Sequence, residues 1–437
     1  MKQLLTFIIA LGALVVNAQQ HYYVAGGDLS LVPAYEAAGD QWLDADGKVI
    51  NTTYADGMLT YVKEVAGWNA VRVRLFVDPT RDSDPATSQD LDYVKTFGAR
   101  IKAAGLRFLL DIHYSDTWAD PNQQTIPASW GYSTATSDEV IAQHVYDYTT
   151  EVLQTLISAS ATPDYVQVGN ETSYGMLWRS KSKDFCNIAT YNAAQWQYFA
   201  RVFAEGSRAV REQCPAARVI LHIERTGNAA NAKGIFANLR TAGLSDSAYD
   251  IIGLSYYPFW HSTLQQLSTT ITTLVEAYPD KEIQIVETAW PFAYYPTDAT
   301  YGQSKFPWAV STAGQGAFLQ DLVATLREHP QVTGLYYWQP EECGNGSDGT
   351  TNRVMSGWSN RGFWELTWKS GRHKLTSPAA LLSLRDFIPS TQAISLPIED
   401  KGANAPYYDL LGRPVTHPQS GIVVQRAFKG RKSSSQP

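Results

Sequence analysis

The sequence predicts an α/β fold, a (β/α)8 TIM barrel with a short C-terminal appendage. The first observation is that eight strand-like runs alternate with helical patterns, as parallel strands joined by crossover helices require. The second is the length of 437 residues, which accommodates one barrel of about 250 residues with long loops, or two domains. Such spacing also fits an open doubly wound sheet, but no GxGxxG motif follows the first strand, and eight units close a barrel.

The strand candidates are short runs rich in β-branched and aromatic residues, and the helix candidates are longer periodic runs between them. The predicted strands cover residues 22–30 with a loop, 67–77, 106–114, 164–171, 218–224, 250–257, 282–287 and 332–338. The predicted helices cover residues 54–65, 91–104, 138–158, part of 172–212, 234–242, 264–278, 314–329 and a closing segment at 376–387. Gly105 stands at the expected C-terminal cap of the second helix, and Ser137 or Asp138 can cap the start of the third.

The N-terminus predicts a secretory signal peptide at residues 1–18. Lys2 supplies the positive end, residues 4–16 supply the apolar run, and Val16-Asn17-Ala18 is a small-residue cleavage site. The apolar run is too short to span a bilayer, and no later stretch approaches the roughly 18 apolar residues that a span requires. We therefore expect an exported protein without a membrane span, in the periplasm, at the cell surface or outside the cell.

The character of the chain changes after the barrel. We assign residues 19–388 to the barrel and residues 389–437 to a C-terminal tail that is rich in Pro, Gly and Ser and has a basic end. Two runs within the tail, 407–415 and 421–424, predict a small hairpin. The tail is similar to the segments that serve sorting in many exported bacterial enzymes, and the alternative is a tail with no role.

The composition excludes several classes of function. A net charge of −7 argues against a nucleic-acid or membrane-surface partner. The sequence has no GxxxxGK[ST] loop, so we expect no nucleotide binding. It has no CxxC or HExxH spacing, so we expect no catalytic metal site. An aromatic content of 12%, with 13 Trp and 25 Tyr, favours sugar recognition, although a large α/β core also uses aromatic residues.

The three cysteines, Cys186, Cys214 and Cys343, cannot all pair within one chain. The protein is therefore not a disulfide scaffold of the kind found in small secreted domains. A bridge between Cys186 and Cys214 remains one possible pairing.

Two carboxylates stand where predicted strands end. The fourth strand ends in Asn170-Glu171, and the seventh ends in Glu287, just before a Trp-Pro loop. Such barrels place active sites at the carboxyl ends of their strands, and a glycosidase needs two carboxyl groups across one bond. We therefore expect one glutamate to be a proton donor and the other a nucleophile. The pKa of the acid should be raised by burial and by its negative neighbour.

Arg72 and Arg74 lie in the second predicted strand and share one face because strand residues alternate with a period of two. An arginine pair that points into a barrel is costly unless it meets carboxylates. Either a buried structural ion pair or active-site arginines would satisfy this requirement, and we favour the active site.

Six blocks of sequence, taken in order, resemble glycoside hydrolase family 53, the endo-β-1,4-galactanases of the retaining barrel clan. The blocks are VRVRLFVDP at 71–79, DIHYSDTWADP at 111–121, VQVGNETSYGMLW at 166–178, LSYYPFWH at 254–261, IVETAWPF at 285–292 and GLYYWQPE at 334–341. The resemblance covers about residues 26–387. It implies a glycoside hydrolase that cleaves the β-1,4-galactan of type I arabinogalactan and pectin internally, with retention.

The resemblance also implies individual roles. It makes Glu171 the acid/base and Glu287 the nucleophile, and Asn170 matches the residue that binds the 2-hydroxyl next to the scissile bond. Arg72 matches the residue that keeps the nucleophile ionised. The other implied substrate-binding residues are His113, Asp116, Trp118, Tyr256, Tyr257 and Trp338, of which Tyr256 is equally well explained by packing. Trp338 matches an aromatic platform under the sugar.

The chain departs from the family pattern in two places. Trp290 stands where tyrosine is common beside the sugar. Some members carry a calcium loop after the seventh strand, but the corresponding residues 293–302 contain one acid, Asp298, so structural calcium is possible there but not supported. Residues 342–353 are rich in Gly, Asn and Asp and are a second place for an ion. We expect no cofactor.

We expect a monomer whose partner is a polysaccharide. The nearest alternative is another β-1,4-glycan specificity, for mannan or glucan, on the same barrel. A non-catalytic carbohydrate-binding barrel is disfavoured because both glutamates, Asn170 and Arg72 are present.

Overall fold

The computed structural model describes residues 22–180, 185–293, 306–344, 354, 360–367, 371–390, 407–408 and 414–415. The chain divides into two compact units, Met1–Pro389 and Ser390–Pro437. The predicted signal peptide and the second run of the tail lie outside the described residues.

Eight parallel strands form a closed barrel, which confirms the predicted fold. The barrel strands, numbered first to eighth below, are Val24–Asp28, Ala70–Leu75, Arg107–Ile112, Tyr165–Val168, Arg218–Ile223, Ile251–Tyr256, Glu282–Thr288 and Val332–Trp338. Each strand pairs with the next, and the first pairs with the eighth, where Val24 lies opposite Gly334. The strands that end in Asn170-Glu171 and Glu287 are therefore the fourth and the seventh, as predicted.

Helices connect the strands. They are Val32–Ala37, Ile50–Thr53, Gly57–Glu64, Leu91–Ala103, Asp138–Ser158, Ala193–Gln213, Ala229–Thr241, Pro258–His261, Leu264–Ala277, Thr312–Arg327 and Pro378–Ser383. Short 3-10 turns occupy Pro79–Arg81, Ala128–Trp130, Asp246–Ala248 and Leu384–Phe387. The helix from Leu91 begins where the Asp90 side chain accepts a hydrogen bond from the Tyr93 amide. It ends before Gly105, whose φ of 71° is the left-handed geometry of a helix cap.

The interior of the barrel changes from apolar to polar along its strands. An apolar cluster of buried strand residues fills part of it, formed by Val24, Ala70, Leu109, Tyr165, Ile220, Ile251, Val286 and Tyr336. Two residues further along the second to fifth strands, the same face presents Arg72, Asp111, Gln167 and His222. All four are fully buried. The strand alternation thus builds a polar layer directly beneath the mouth of the barrel.

A second, four-stranded sheet joins distant parts of the chain. Its strands, in spatial order, are Cys343–Gly344, Trp364–Thr367, Arg372–Leu375 and Gln41–Leu43. The sequence did not predict this sheet, because strands of two to four residues carry too short a pattern to recognise. The closing helix predicted at 376–387 is a short α-helix followed by a 3-10 turn.

Within the second unit, Tyr407–Tyr408 pairs antiparallel with Pro414–Val415. This pairing lies in the first run that the sequence predicted to form a hairpin.

Among the helices that the structure describes, none combines the length and the hydropathy that crossing a bilayer requires.

Cys186 and Cys214 are both free and buried, so the bridge considered between them is not formed. The Sγ atom of Cys186 lies 3.5 Å from the carbonyl of Gln195, in the first turn of the helix Ala193–Gln213, whereas Cys214 follows the last residue of that helix. A helix of this length spans roughly 30 Å. That distance is far beyond the reach of a disulfide.

Candidate active site

A cavity of about 250 Å³ opens at the carboxyl ends of the barrel strands. It is lined by Asp84, Trp118, Ala119, Asp120, Asn170, Glu171, Tyr257, Trp260, Glu287, Trp338 and Gln339. The lining contains both predicted carboxylates, and it lies at the end of the barrel where enzymes of this fold place their active sites.

Arg72 is fully buried beneath this cavity and pairs with three carboxylates. Its Nη1 donates to Oδ2 of Asp28 at 2.9 Å, and its Nη2 donates to Oδ2 of Asp111 at 2.8 Å and to Oε1 of Glu287 at 2.9 Å. Arg74 donates to the other oxygen of Asp28 at 2.8 Å. Both arginines therefore meet carboxylates, as predicted, and their buried charges are compensated.

Glu287 lies in the seventh strand and is 4% exposed. Its Oε1 accepts from Arg72, and its Oε2 accepts from the hydroxyl of Tyr257 at 2.9 Å. Burial raises the pKa of Glu287 to about 7, while Arg72 and the Tyr257 hydroxyl act in the opposite direction. The site thus holds this carboxylate between a cation and a hydroxyl donor.

Glu171 follows the fourth strand in a left-handed backbone conformation, with a φ of 45°. Gly169, with a φ of 83°, turns the chain just before it. A left-handed non-glycine residue carries about 1–3 kcal/mol of strain, and such residues cluster at active sites. The turn directs the Glu171 amide to Nδ1 of His222, at 3.2 Å, while Oε1 accepts from Oγ of Ser255 at 2.7 Å.

The two glutamates differ in which proton state the site favours. Burial raises the pKa of Glu171 well above its ordinary value, and the charges of Glu287 and Glu224 raise it further. Arg72 contacts Glu287 directly, so Glu287 loses its proton first, and its charge then keeps Glu171 protonated. The result is one carboxylic acid beside one carboxylate, which is the state that starts glycoside cleavage.

The side-chain amide of Asn170 is held at both ends. Its Oδ1 accepts from Nη2 of Arg72 at 3.0 Å, and its Nδ2 donates to the carbonyl of Ala119 at 2.8 Å. The amide of Gln167 also donates to Oδ1 at 3.0 Å. Asn170 therefore lines the cavity in a fixed orientation beside Glu171.

Two tryptophans form a wall of the cavity. The ring of Trp338 lies over the guanidinium of Arg74, at 4.7 Å, and 6.0 Å from the ring of Trp118. Trp118 donates from Nε1 to Oδ2 of Asp84 at 3.0 Å. Cation–π contacts and this hydrogen bond hold both rings in place, so they offer flat, preformed surfaces.

Comparison with known proteins identifies the family to which this barrel belongs. The family model described as glycosyl hydrolase family 53 matches residues 24–375, which include all eight barrel strands. The chain belongs to glycosyl hydrolase family 53.

Relatives and solved structures are similar to this family 53 chain over most of its length. A protein of Aspergillus terreus named "Probable arabinogalactan endo-beta-1,4-galactanase A" is 32% identical over 336 residues, 75% of this chain and 88% of that one. The Ignisphaera aggregans GH53 catalytic domain has a TM-score of 0.68 at 28% identity, covering 83% of this chain and 95% of that domain. A structure of fungal β-1,4-galactanases gives 0.66 at 27% identity, covering 82% and 98%.

In this family 53 barrel, Tyr256 does not reach the cavity although its neighbour Tyr257 does. Tyr256 is fully buried, its hydroxyl donates to the carbonyl of Ser262 at 2.9 Å, and its ring lies 6.4 Å from Phe318 of a surrounding helix. Adjacent strand residues point to opposite faces. Tyr256 therefore packs between barrel and helices, whereas Tyr257 faces the carboxylates.

His113 and Asp116 also lie outside the cavity lining. In His113, Nδ1 accepts from the amide of Ala119 at 3.0 Å, and Nε2 lies 3.1 Å from Oδ2 of Asp111. Asp116 accepts from the amide of Ala128 at 2.9 Å. Both side chains order the walls of the family 53 site from behind. The remaining predicted residues, Trp118, Asn170, Glu171, Tyr257, Glu287 and Trp338, come together at the cavity, with Arg72 beneath them.

Several site residues were not predicted. Ser255 and His222 contact Glu171, Asp28 and Asp111 anchor Arg72, and the cavity is also lined by Asp84, Ala119, Asp120 and Gln339. A sequence signal for Ser255 exists, because it lies two residues before Tyr257 and so shares its face of the strand.

Among the residues that the structure describes, no group of three or more His, Cys, Asp or Glu side chains is placed to hold a metal ion. Of the two loops considered for an ion, at 293–302 and 342–353, residues 294–302 and 345–353 lie outside that set.

Proposed function

We propose that this family 53 hydrolase is an endo-β-1,4-galactanase that cleaves the galactan of type I arabinogalactan and pectin with retention. The family and the name of the Aspergillus terreus relative support the galactan specificity. Glu171 serves as acid/base and Glu287 as nucleophile, and the observation that carries this assignment is their closeness.

One hydroxyl group limits the distance between the two carboxyl groups. Oγ of Ser255 lies 2.7 Å from Oε1 of Glu171 and 3.5 Å from Oε2 of Glu287. These two oxygens can be no farther apart than the sum of those distances, 6.2 Å. Carboxyl groups lie about 5–5.5 Å apart in retaining glycosidases and about 6.5–9.5 Å apart in inverting ones. The limit supports double displacement.

The reaction has two steps. In the first, a carboxylate oxygen of Glu287 bonds to the anomeric carbon, the glycosidic C–O bond breaks, and Glu171 gives its proton to the departing oxygen. In the second, Glu171 takes a proton from water, whose oxygen bonds to the anomeric carbon as the bond to Glu287 breaks. Asn170 binds the 2-hydroxyl group, and Trp338 and Trp118 stack on sugar rings.

The surrounding chain fits an exported enzyme. Residues 1–18 act as a signal peptide, residues 19–388 form the catalytic barrel, and residues 389–437 form a tail that serves sorting. The enzyme acts as a monomer outside the cytoplasm, without a cofactor. Fractionation of producing cells, with and without residues 389–437, tests where the tail sends the protein.

Product analysis tests the activity. The protein is incubated separately with β-1,4-galactan, β-1,4-mannan and cellulose, and we expect soluble oligosaccharides of mixed length from galactan alone. Proton NMR of the first minutes should show the β-anomer before mutarotation. Turnover of mannan or cellulose without galactan would contradict the specificity, and an α-anomer formed first would contradict retention.

A further inference from the structure

We propose that Ser255, oriented by His222, is a positioning residue that keeps Oε1 of Glu171 occupied as a hydrogen-bond acceptor. The acid proton of Glu171 then resides on its other oxygen, Oε2, which delivers it to the glycosidic oxygen. The inference rests on the proposed acid/base role of Glu171 and assigns the part played by two residues behind it.

The tautomer of His222 is decided by the groups that face Nδ1. Two nitrogens that can only donate face Nδ1, the Glu171 amide at 3.2 Å and Nε2 of Gln167 at 3.0 Å, so Nδ1 is an acceptor. Oδ1 of Asn170 also lies 3.0 Å from Nδ1, but it already accepts from Arg72 and Gln167. The neutral ring must then carry its proton on Nε2. Burial lowers the pKa of His222 well below its ordinary value, and the charge of Arg72 lowers it further, so the ring remains neutral.

This tautomer gives the hydrogen bonds a direction. Nε2–H of His222 donates to Oγ of Ser255 at 2.8 Å, so the hydroxyl oxygen is the acceptor there. The single proton of Ser255 remains available for a carboxylate. Oγ of Ser255 lies 2.7 Å from Oε1 of Glu171 and 3.5 Å from Oε2 of Glu287. The shorter distance shows that the hydroxyl donates to Glu171.

The sixth strand therefore supplies one hydroxyl to each catalytic carboxyl group. Ser255 donates to Glu171, and Tyr257, on the same face two residues later, donates to Glu287. The pairing register with the seventh strand shifts between Leu254 and Ser255, and Ser255 thereby pairs with Glu287. Irregularities of this kind often re-aim side chains next to active sites.

The hydroxyl of Ser255 also favours the ionised form of Glu171, because a donor stabilises a carboxylate and lowers its pKa. Loss of that donor should raise the pKa of Glu171. The other titratable groups around Glu171 are Glu287 from the seventh strand, Glu224 after the fifth, Asp120 from the loop after the third, His222 in the fifth and Tyr257 after the sixth.

Ser255→Ala tests the proposal in the full-length enzyme. We expect kcat/KM on galactan to fall about 10- to 100-fold, as for loss of a hydrogen bond to a charged group. On an aryl β-galactoside with a good leaving group, which needs little proton donation, kcat/KM should change less than about threefold. The alkaline limb of the pH profile on galactan should move to higher pH.

The direction of that pH change separates positioning from general damage. A loosened site that admits water would lower the pKa of Glu171 and move the limb to lower pH. Ser255→Thr, which retains the hydroxyl, should restore most of the rate. Thr226→Val is a matched control, because Thr226 donates to the backbone carbonyl of Ser255 at 2.8 Å without touching either glutamate.

The results can overturn the inference independently of the proposed function. Any of three results would refute it. The alkaline limb of Ser255→Ala could stay in place or move to lower pH, or kcat/KM could fall equally on both substrates. The third is that Ser255→Ala has the same kcat/KM and pH profile as Thr226→Val. Glu171→Ala is measured alongside. If that variant keeps its galactan activity, the acid/base assignment fails; if it loses activity while Ser255→Ala does not, only the positioning role fails.

Discussion

Nη2 of Arg72 lies 2.9 Å from Oε1 of Glu287, although 215 positions of sequence separate the two residues. The same nitrogen also contacts Asp111 and Asn170. One buried guanidinium therefore joins the proposed nucleophile to the residue beside the proposed acid/base. This arrangement assigns the negative charge to Glu287 and the proton to Glu171.

Replacing either glutamate by alanine should reduce the galactan rate at least roughly 10³-fold, because an acid/base or a nucleophile is removed. Azide distinguishes the two roles. With an activated β-galactoside, Glu171→Ala should form the β-azide, since azide replaces water in the second step. Glu287→Ala should form the α-azide, since azide attacks the substrate directly. NMR of the products identifies the anomer.

Glu282→Gln provides a matched control for these variants. Glu282 begins the strand in which Glu287 lies and pairs with Arg218 at the opposite end of the barrel. It should keep the wild-type rate. Identical azide products from both alanine variants would contradict the assignment of roles.

The pH profile should respond to Tyr257→Phe on its acidic side. As the proposed nucleophile, Glu287 must be ionised to attack, so the rate should fall as pH drops through its pKa of about 7. Removing the Tyr257 hydroxyl destabilises the carboxylate and raises that pKa, so the acidic limb moves to higher pH. Steady-state kinetics over a pH range centred on about 7 measure the limb.

Tyr256→Phe is the natural comparison. It removes a buried hydroxyl from the neighbouring residue, which faces the helices. Its pH profile should match that of the unchanged enzyme, whatever happens to stability. A shift of the acidic limb in this variant would show that the effect does not require contact with Glu287.

Trp260 should contribute to substrate binding more than to chemistry. It lines the cavity yet is 60% exposed, and its ring packs on Phe259 at 4.8 Å and Tyr257 at 5.2 Å. We expect Trp260→Ala to raise KM for long galactan about 10-fold with kcat nearly unchanged, as loss of uniform binding does. Trp260→Phe should retain part of the affinity. An equal fall in kcat would contradict a pure binding role.

Asp164 should matter for stability and not for activity. It precedes the fourth strand at the N-terminal end of the barrel, where it accepts from Lys102 and Arg107, each at 2.6 Å, and from the amide of Phe108 at 2.9 Å. Asp164→Ala should lower the free energy of unfolding by about 1–3 kcal/mol. Denaturant titration and galactan kinetics measure the two effects separately.

The exposed pair of Asp46 and Lys48 offers a control for Asp164. Asp46→Ala should leave the unfolding midpoint unchanged, because exposed ion pairs contribute little. A large fall in the galactan rate of Asp164→Ala would contradict the prediction. It would show that contacts at the N-terminal end of the barrel affect the active site.

The sequence was sufficient for the barrel and for its central residues. Glu171 and Glu287 are visible because each ends a strand, and Arg72 and Arg74 because alternation places both on one face. These signals are local, and the closed barrel converts strand ends into neighbours. Once the strands were counted, the positions of these side chains followed.

The residues that the sequence missed depend on sideways contacts between strands. Ser255 and His222 act through a hydrogen bond across neighbouring strands, and the register shift after Leu254 has no sequence signature. The family resemblance implied that His113 binds substrate, but its ring lies against Asp111 and the Ala119 amide. Side-chain direction at a strand end is decided by tertiary contacts.

The left-handed backbone at Glu171 has a consequence for how this enzyme could be improved. Asparagine tolerates that conformation better than glutamate and would also remove a carboxyl group from beside Glu287. Glu171→Asn should therefore unfold at a higher temperature than the natural chain while losing its turnover, which calorimetry and galactan assays can measure. At this position, selection for heat resistance and selection for catalysis oppose each other, so a search guided by stability alone would discard the proposed proton donor.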